Sequence, residues 1–275
     1  MFKPRRVAII GGSGLMGQWF SKFFASQGCI VTITGRRYAK CLKIAKRLKV
    51  KAEKSNTDAV KGADLVIISV MMRNFESTIK GISKDLVPGQ IVVDITSVKV
   101  APVNVMHRYL KGVLVLGTHP MFGPSASAKG QNFILTPTNA KEKSFAKEFS
   151  RYLHSMGVNP VVMAPGKHDQ MISAMLSLTH FVGFVTGDTW RELRIHKFMK
   201  TTSTSFRFLK SFVQSIVDSS PELYSYLQVG VPNAYTIEKL FVKKSKEWSQ
   251  LTRSKNEKKL ERRMSALAKY VSKLG

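Results

Sequence analysis

Seven short stretches of this chain are apolar almost residue for residue, and longer stretches of mixed polarity separate them. Val7-Ala8-Ile9-Ile10 is the first, Ile30-Val31-Thr32-Ile33-Thr34 the second, and residues 63–70, interrupted at Asp64, the third. Residues 90–95, 113–116, 132–135 and 160–163 follow. A strand with one wet face alternates apolar and polar residues, whereas a strand covered on both faces reads as a continuous apolar run. Between the runs, apolar residues return at helical spacing: Trp19, Phe20, Phe23 and Phe24, then Cys41, Leu42, Ile44, Ala45 and Leu48. Strand–helix alternation of this kind predicts an α/β fold, with a Rossmann-type doubly wound parallel sheet over residues 1–164.

After Pro165-Gly166 the pattern changes. Residues 169–194 read as one long helix that is apolar on nearly every side, through Met171, Ile172, Met175, Leu176, Leu178, Val182, Phe184 and Val185. A helix greasy all round must be covered by something. An all-helical domain over 165–275 covers it only in part, so a homodimer through the C-terminal helices is expected. Further helices are predicted over 204–218, from 221, over 232–251 and over 255–274, with Pro221 and Pro232 suited to first turns.

Composition narrows the function classes. The 275 residues suit two domains, and 44% hydrophobic with 22% charged excludes a mainly disordered chain. Cys29 and Cys41 form no disulfide framework and no metal knuckle, so a reducing compartment is expected and no metal site. The first apolar run is too short before its glycines to be a signal peptide, and no run is long enough to cross a bilayer. A soluble, cytoplasmic protein without a membrane partner is the expectation. The net charge of +27 is the unusual number. Its basic residues sit mostly at helical spacing, without aromatic-rich strands, zinc spacings or a helix-turn-helix pattern. They read as a solvated face that also draws in anionic ligands; nucleic acid is not an expected partner.

Gly12-Ser13-Gly14-Leu15-Met16-Gly17 contains the G-x-G-x-x-G spacing, directly after a strand and opening a helix. In that context Gly12 permits a tight turn, Gly14 lets the backbone approach a pyrophosphate, and Gly17 lets the helix pack on the strand. The phosphates then meet free N–H groups at the helix start. An NAD site places an acid at the end of the second strand for the ribose hydroxyls; here the chain reads Thr34-Gly35-Arg36-Arg37. An arginine fork pairs with a 2′-phosphate, which points to NADP rather than NAD. Ser69 and Val70, at the end of the third apolar run, complete the expected cofactor residues.

Two further strand ends carry polar chemistry: Asp94-Ile95-Thr96-Ser97-Val98-Lys99 and Gly117-Thr118-His119-Pro120-Met121-Phe122-Gly123-Pro124. Ligands of open α/β sheets bind at the carboxyl ends of strands. Together with His168-Asp169-Gln170 and Leu178-Thr179-His180-Phe181, these segments resemble the prephenate/arogenate dehydrogenase family, over about residues 6–230. The resemblance implies an NADP-linked oxidative decarboxylation of prephenate to 4-hydroxyphenylpyruvate, CO2 and NADPH, on the way to tyrosine. It implies a monofunctional enzyme without a mutase or regulatory domain. His119 matches the family's catalytic histidine, taking the C4 hydroxyl proton, with Ser97 hydrogen-bonding that hydroxyl or orienting His119. His180 would line the substrate pocket and Lys99 would offset a carboxylate. Gly183 and Gly187, on the face of His180, would leave space for a ligand or a neighbouring chain.

One departure stands out. Relatives carry a G-R pair whose arginine grips the substrate carboxylate, where this chain reads Gln214-Ser215. Arg207, two turns earlier on the same helix face, is the candidate substitute, with Lys99 and Lys210 behind it. Arogenate, or another small anion, is the alternative substrate.

Overall fold

A computed structural model describes residues 2–218 and 221–274, the Leu223 side chain excepted. By internal packing the chain divides into two compact units, Met1–Ile172 and Ser173–Gly275.

The first unit is built on strands β1 (Arg6–Ile10), β2 (Ile30–Thr34), β3 (Lys51–Ala52), β4 (Leu65–Ile68), β5 (Ile91–Asp94), β6 (Leu114–Pro120), β7 (Asn132–Thr136) and β8 (Asn159–Val162). Its helices are α1 (Leu15–Ser26), α2 (Tyr38–Leu48), α3 (Asn56–Val60), α4 (Phe75–Ile82), α5 (Val100–Tyr109), α6 (Ala140–Ser155) and α7 (Pro165–Ile172). The strands form one sheet in the order β3-β2-β1-β4-β5-β6-β7-β8. Successive residues of a strand face opposite sides, and both sides are apolar here. Val7 and Ile9 of β1, with Leu65 and Ile67 of β4, join Phe20, Phe24, Ile44, Phe145 and Phe149 of α1, α2 and α6. Ala8 and Ile10, with Val66 and Ile68, join Phe75, Ile79, Val103 and Met106 of α4 and α5. The unit therefore has helices on both faces, which explains the uninterrupted apolar runs.

The sheet departs from a fully parallel one at its far edge. β7 pairs antiparallel with β6, and β8 runs parallel to β7. A parallel crossover needs a long connection, usually a helix. The segment between β6 and β7 has no such helix, and it folds back with Trp19 Nε1 donating to the Ala126 carbonyl at 2.9 Å.

The second unit contains α8 (Leu178–Glu192), α9 (Thr204–Val217), α10 (Pro221–Gly230), α11 (Ala234–Arg253) and α12 (Glu257–Val271). The predicted single helix over 169–194 is instead α7, a π-helical turn at Ser173–Ser177, and α8. Within α8 only His180 and Gly183 are buried, while Val185 is exposed, as is Met175 before it. The apolar sides of α8 are left partly uncovered by the chain itself. The space beside Gly183 and Gly187, expected for a ligand or neighbour, is taken by α9: a Cβ on Gly183 would lie 2.4 Å from Ile216 Cδ1, and one on Gly187 3.4 Å from Val213 Cγ1.

Candidate active site

Strand register sets out the site. Thr34, Ile10, Ile68, Asp94 and Gly117 lie side by side across five parallel strands. Whatever follows each of them emerges along the carboxyl edge of the sheet, where open α/β folds bind ligands.

Gly11 to Gly17 emerge from β1. The left-handed residue of that turn is Gly11, φ +85°, immediately before the Gly12 that the spacing marks for the tight turn. A Cβ on Gly11 would sit 2.1 Å from the Ser69 carbonyl oxygen, so the loop presses against the end of β4 and places Ser69 and Val70 beside it. A Cβ on Gly12 would fall 2.5 Å from Ile33 Cβ, and one on Gly17 2.6 Å from the Gly11 oxygen; both glycines serve close packing. Gly14 is different. It is exposed, caps α1 without a side-chain hydrogen bond, and no acid lies in the first turn. The leading amides of α1, at Leu15 and Met16, are thus left for an external anion, and the residues fit a dinucleotide phosphate. Gly35 comes close enough to Ser13 that a Cβ would lie 2.6 Å from its Oγ, so the ends of β1 and β2 meet. Thr34 is buried and donates to Asn56 Oδ1 at 2.7 Å, whereas Arg36 and Arg37 are exposed.

Between β5 and β6 lies a buried polar cluster. Lys99 has no solvent exposure, and its ammonium donates to Asp94 Oδ2 and, at 2.5 Å, to the Thr118 carbonyl. Asp94 also accepts from the Thr96 amide at 3.0 Å, the Thr96 hydroxyl and the Thr118 amide at 3.2 Å. Burial pulls the Lys99 pKa down, opposed by the Asp94 charge. The sequence offered Lys99 as a counter-charge for a substrate carboxylate. Its ammonium is sealed in the protein against Asp94, so that task is not open to it; it braces the loop that carries Ser97.

His119 is the next-to-last residue of β6 and almost fully buried. Its Nδ1 is 2.9 Å from His168 Nε2, and His168 Nδ1 is 2.8 Å from Asp169 Oδ1. Asp169 also accepts from the Lys99 amide at 2.6 Å and the Val100 amide at 2.9 Å, which fastens α7 to the start of α5. Burial would raise the Asp169 pKa, but the His168 hydrogen bond and the two amides outweigh it and hold the carboxyl below its usual range. An ionised carboxylate only accepts, so His168 Nδ1 donates to it and, in the neutral ring, Nε2 accepts. His119 Nδ1 must then be the donor, which leaves a lone pair on His119 Nε2. Burial first, then the Lys99 and His168 charges, push the His119 pKa well below its usual value, so the ring is neutral at physiological pH. The orienting partner of His119 is thus His168, not Ser97. Ser97 is half-buried, and its hydroxyl has no hydrogen bond to the described residues. Asp94, His168 and Asp169 received no role from sequence; the only signal was an aspartate closing an apolar strand and a His-Asp pair inside the family-like segment.

In the second unit, His180 is buried with its Nδ1 unpartnered among the described residues, 4.2 Å edge-on to the Tyr224 ring. Burial lowers its pKa to about 4. Unfolded, the same ring titrates near 6.5. A folded state that binds protons less tightly loses stability as pH falls through that interval, while above 6.5 the stability is fully present. At about 1.4 kcal/mol per pKa unit, His180 alone costs about 3 kcal/mol by pH 4. The gap between urea midpoints at pH 7 and pH 4.5 is expected to narrow in a His180→Phe variant, His119 keeping a share of it; an unchanged gap would assign the acid lability elsewhere. Arg207 is exposed on α9 and donates to Thr204 Oγ1 at 3.3 Å; Lys210 is exposed on the same helix. Ser215 is exposed, its hydroxyl donating to the Phe212 carbonyl.

Comparison with known proteins decides the family. A model of the prephenate dehydrogenase nucleotide-binding domain matches residues 20–162, and one of the prephenate dehydrogenase dimerization domain matches residues 164–267. The chain belongs to the prephenate/arogenate dehydrogenase family. Among curated relatives of this dehydrogenase family, a probable arogenate/prephenate dehydrogenase of Methanocaldococcus jannaschii is 32% identical over 96% of the chain and 60% of its own length. The T-protein of Enterobacter agglomerans is 27% identical over 80% of the chain and 55% of its own length. The chain thus spans little more than half the length of these two relatives. A crystal structure of Aquifex aeolicus prephenate dehydrogenase, with hydroxyphenyl propionate and NAD+, superposes with a TM-score of 0.80 at 22% identity, covering 100% of this chain and 99% of the other. Among the described residues, no helix is long and apolar enough to cross a membrane.

Proposed function

We propose that this dehydrogenase catalyses the NADP-dependent oxidative decarboxylation of prephenate, with His119 as the base. The observation that carries the reading is the neutral His119 ring at the carboxyl edge of the sheet, held through Nδ1 so that Nε2 bears the lone pair. Its Nε2 takes the proton of the ring C4 hydroxyl, and Ser97, with an uncommitted hydroxyl, holds the same oxygen. A bound nicotinamide would supply the hydride acceptor for C4. Loss of the ring carboxylate as CO2 then makes the product aromatic. The Gly12–Gly17 loop, Ser69 and Val70 hold the dinucleotide, and α1 supplies amides to its phosphates.

Arg36 and Arg37 are assigned to the 2′-phosphate because they are exposed at the end of β2 with no acid in the Thr34–Arg37 turn. Hydrogen bonds to a charged group contribute roughly 1.5–3 kcal/mol. An Arg36→Glu variant is therefore expected to raise KM for NADP at least about tenfold while leaving KM for NAD little changed. Equal changes with both cofactors would remove Arg36 from cofactor choice.

For the second unit, the proposal keeps His180 and Arg207 as substrate-binding residues, on the chemistry of an imidazole with an unpartnered nitrogen and a guanidinium able to pair with a carboxylate. A cytoplasmic homodimer belongs to the same proposal, supported by the exposed apolar residues of the dimerization-type unit. The test offers prephenate and arogenate in turn with NADP and with NAD, following nicotinamide reduction and CO2. Prephenate with NADP is expected to give the highest kcat/KM. Arogenate leading would reassign the substrate, and no turnover with either would favour the other-anion reading that Ser215 in place of arginine suggests.

A further inference from the structure

His119 presents a difficulty as a base. Burial and the Lys99 charge both oppose a proton resting on it. Yet the ring it donates to is the one ring of the pair that touches a carboxylate, Asp169, at 2.8 Å. That carboxylate is held in place by the Lys99 and Val100 amides, so it cannot swing away. We propose that His168 and Asp169 form a proton relay behind His119, in which the proton taken from the substrate comes to rest on His168.

The inference rests on the dehydrogenase reading and adds to it where the proton goes. The substrate O–H bond breaks as an Nε2–H bond forms on His119. The Nδ1–H proton of His119 moves across the 2.9 Å gap to His168 Nε2. His119 ends neutral with its proton on Nε2, and His168 ends as an imidazolium against the Asp169 carboxylate. No electrons are exchanged in either transfer. After product leaves, the reverse shift delivers the proton to water at His119 Nε2.

The charged or titratable groups facing His168 are His119 on β6, Asp169 on its own helix, and Lys99 with Asp94 at the start of α5 and the end of β5. Asp169 is in direct contact with His168, whereas the Lys99 ammonium is held on Asp94 and the Thr118 carbonyl. A cation on His168 is therefore favoured over one on His119. His168 is here a positioning and relay residue, since it acts through His119.

Two measurements test this. In the wild-type chain, 15N spectra of labelled histidines recorded from pH 8 downward are expected to show His168 becoming doubly protonated before His119; the opposite order overturns the relay. In a His168→Gln variant, whose longer side chain carries its amide to the place of Nε2, the amide oxygen accepts from His119 Nδ1, preserving the tautomer, but takes no proton. Its kcat is expected to fall at least about tenfold, with both KM values unchanged. The acid limb of its pH profile is expected to move to lower pH, because a proton on His119 alone is disfavoured. A wild-type kcat and an unmoved limb overturn the relay. Failure of the underlying reading looks different: His119→Asn would then turn over as fast as wild type.

Discussion

A His119→Asn enzyme is expected to lose between about 100-fold and 10,000-fold in kcat, the range that positioned acid–base groups contribute. The loss should fall on kcat rather than on KM for the dinucleotide, because His119 takes no part in the Gly12–Gly17 loop. Asparagine retains a donor at the Nδ1 end, so its amide NH2 can still reach His168 Nε2 and the end of β6 should keep its shape. It has no lone pair of useful basicity where Nε2 stood. The substrate hydroxyl would then have to lose its proton to water while hydride departs. Steady-state kinetics at saturating cofactor, beside a cofactor titration by fluorescence, separate the two effects. If kcat is kept and cofactor binding lost, His119 serves the nucleotide and not the chemistry.

The second large effect concerns stability. Lys99→Met would leave Asp94 as a buried carboxylate without its cation. Removing one member of a buried pair typically costs about 3–5 kcal/mol, because the remaining charge keeps its desolvation penalty. For a chain of this size that corresponds to a fall of the order of 10 °C in Tm. The double variant Asp94→Asn/Lys99→Met removes both charges and is expected to recover most of the loss, since an apolar or neutral replacement of a whole pair is often near neutral. Calorimetry of the three chains reads this directly. A single variant as stable as wild type would mean that Lys99 is not the partner on which Asp94 depends. The Lys99 variant should also relieve the repulsion that disfavours a proton on His119, moving the acid limb of activity to higher pH.

Much of this was legible in the chain. Seven of the eight strands announce themselves as apolar runs, the inner ones because both faces of the sheet are covered and β8 although its Val162 is exposed, and the glycine spacing before α1 marks the nucleotide loop. β3 was not, since it consists of Lys51 and Ala52 alone and has no pattern to detect. The antiparallel turn into β7 was hidden because its strand is as apolar as the parallel ones; direction is set by the connection, and the 121–131 segment gives no helical period to weigh. Lys99 shows why burial of a charge is hard to read. A lysine after a strand is ordinarily exposed, and only the fold reveals that Asp94 and Thr118 close around it. The His168–Asp169 pair lies 49 residues from His119, so the link between them exists only once α7 packs beside α5.

The central claim is that His119 Nε2 meets the oxygen of a six-membered ring beside a phosphorylated dinucleotide. A crystal structure of the chain with NADP and a 4-hydroxyphenyl acid bound together tests it most directly. The account predicts the ring oxygen within about 2.6–3.2 Å of His119 Nε2, with His168 still on Nδ1. A ring whose oxygen is held by other side chains, with His119 out of hydrogen-bonding reach, would contradict it.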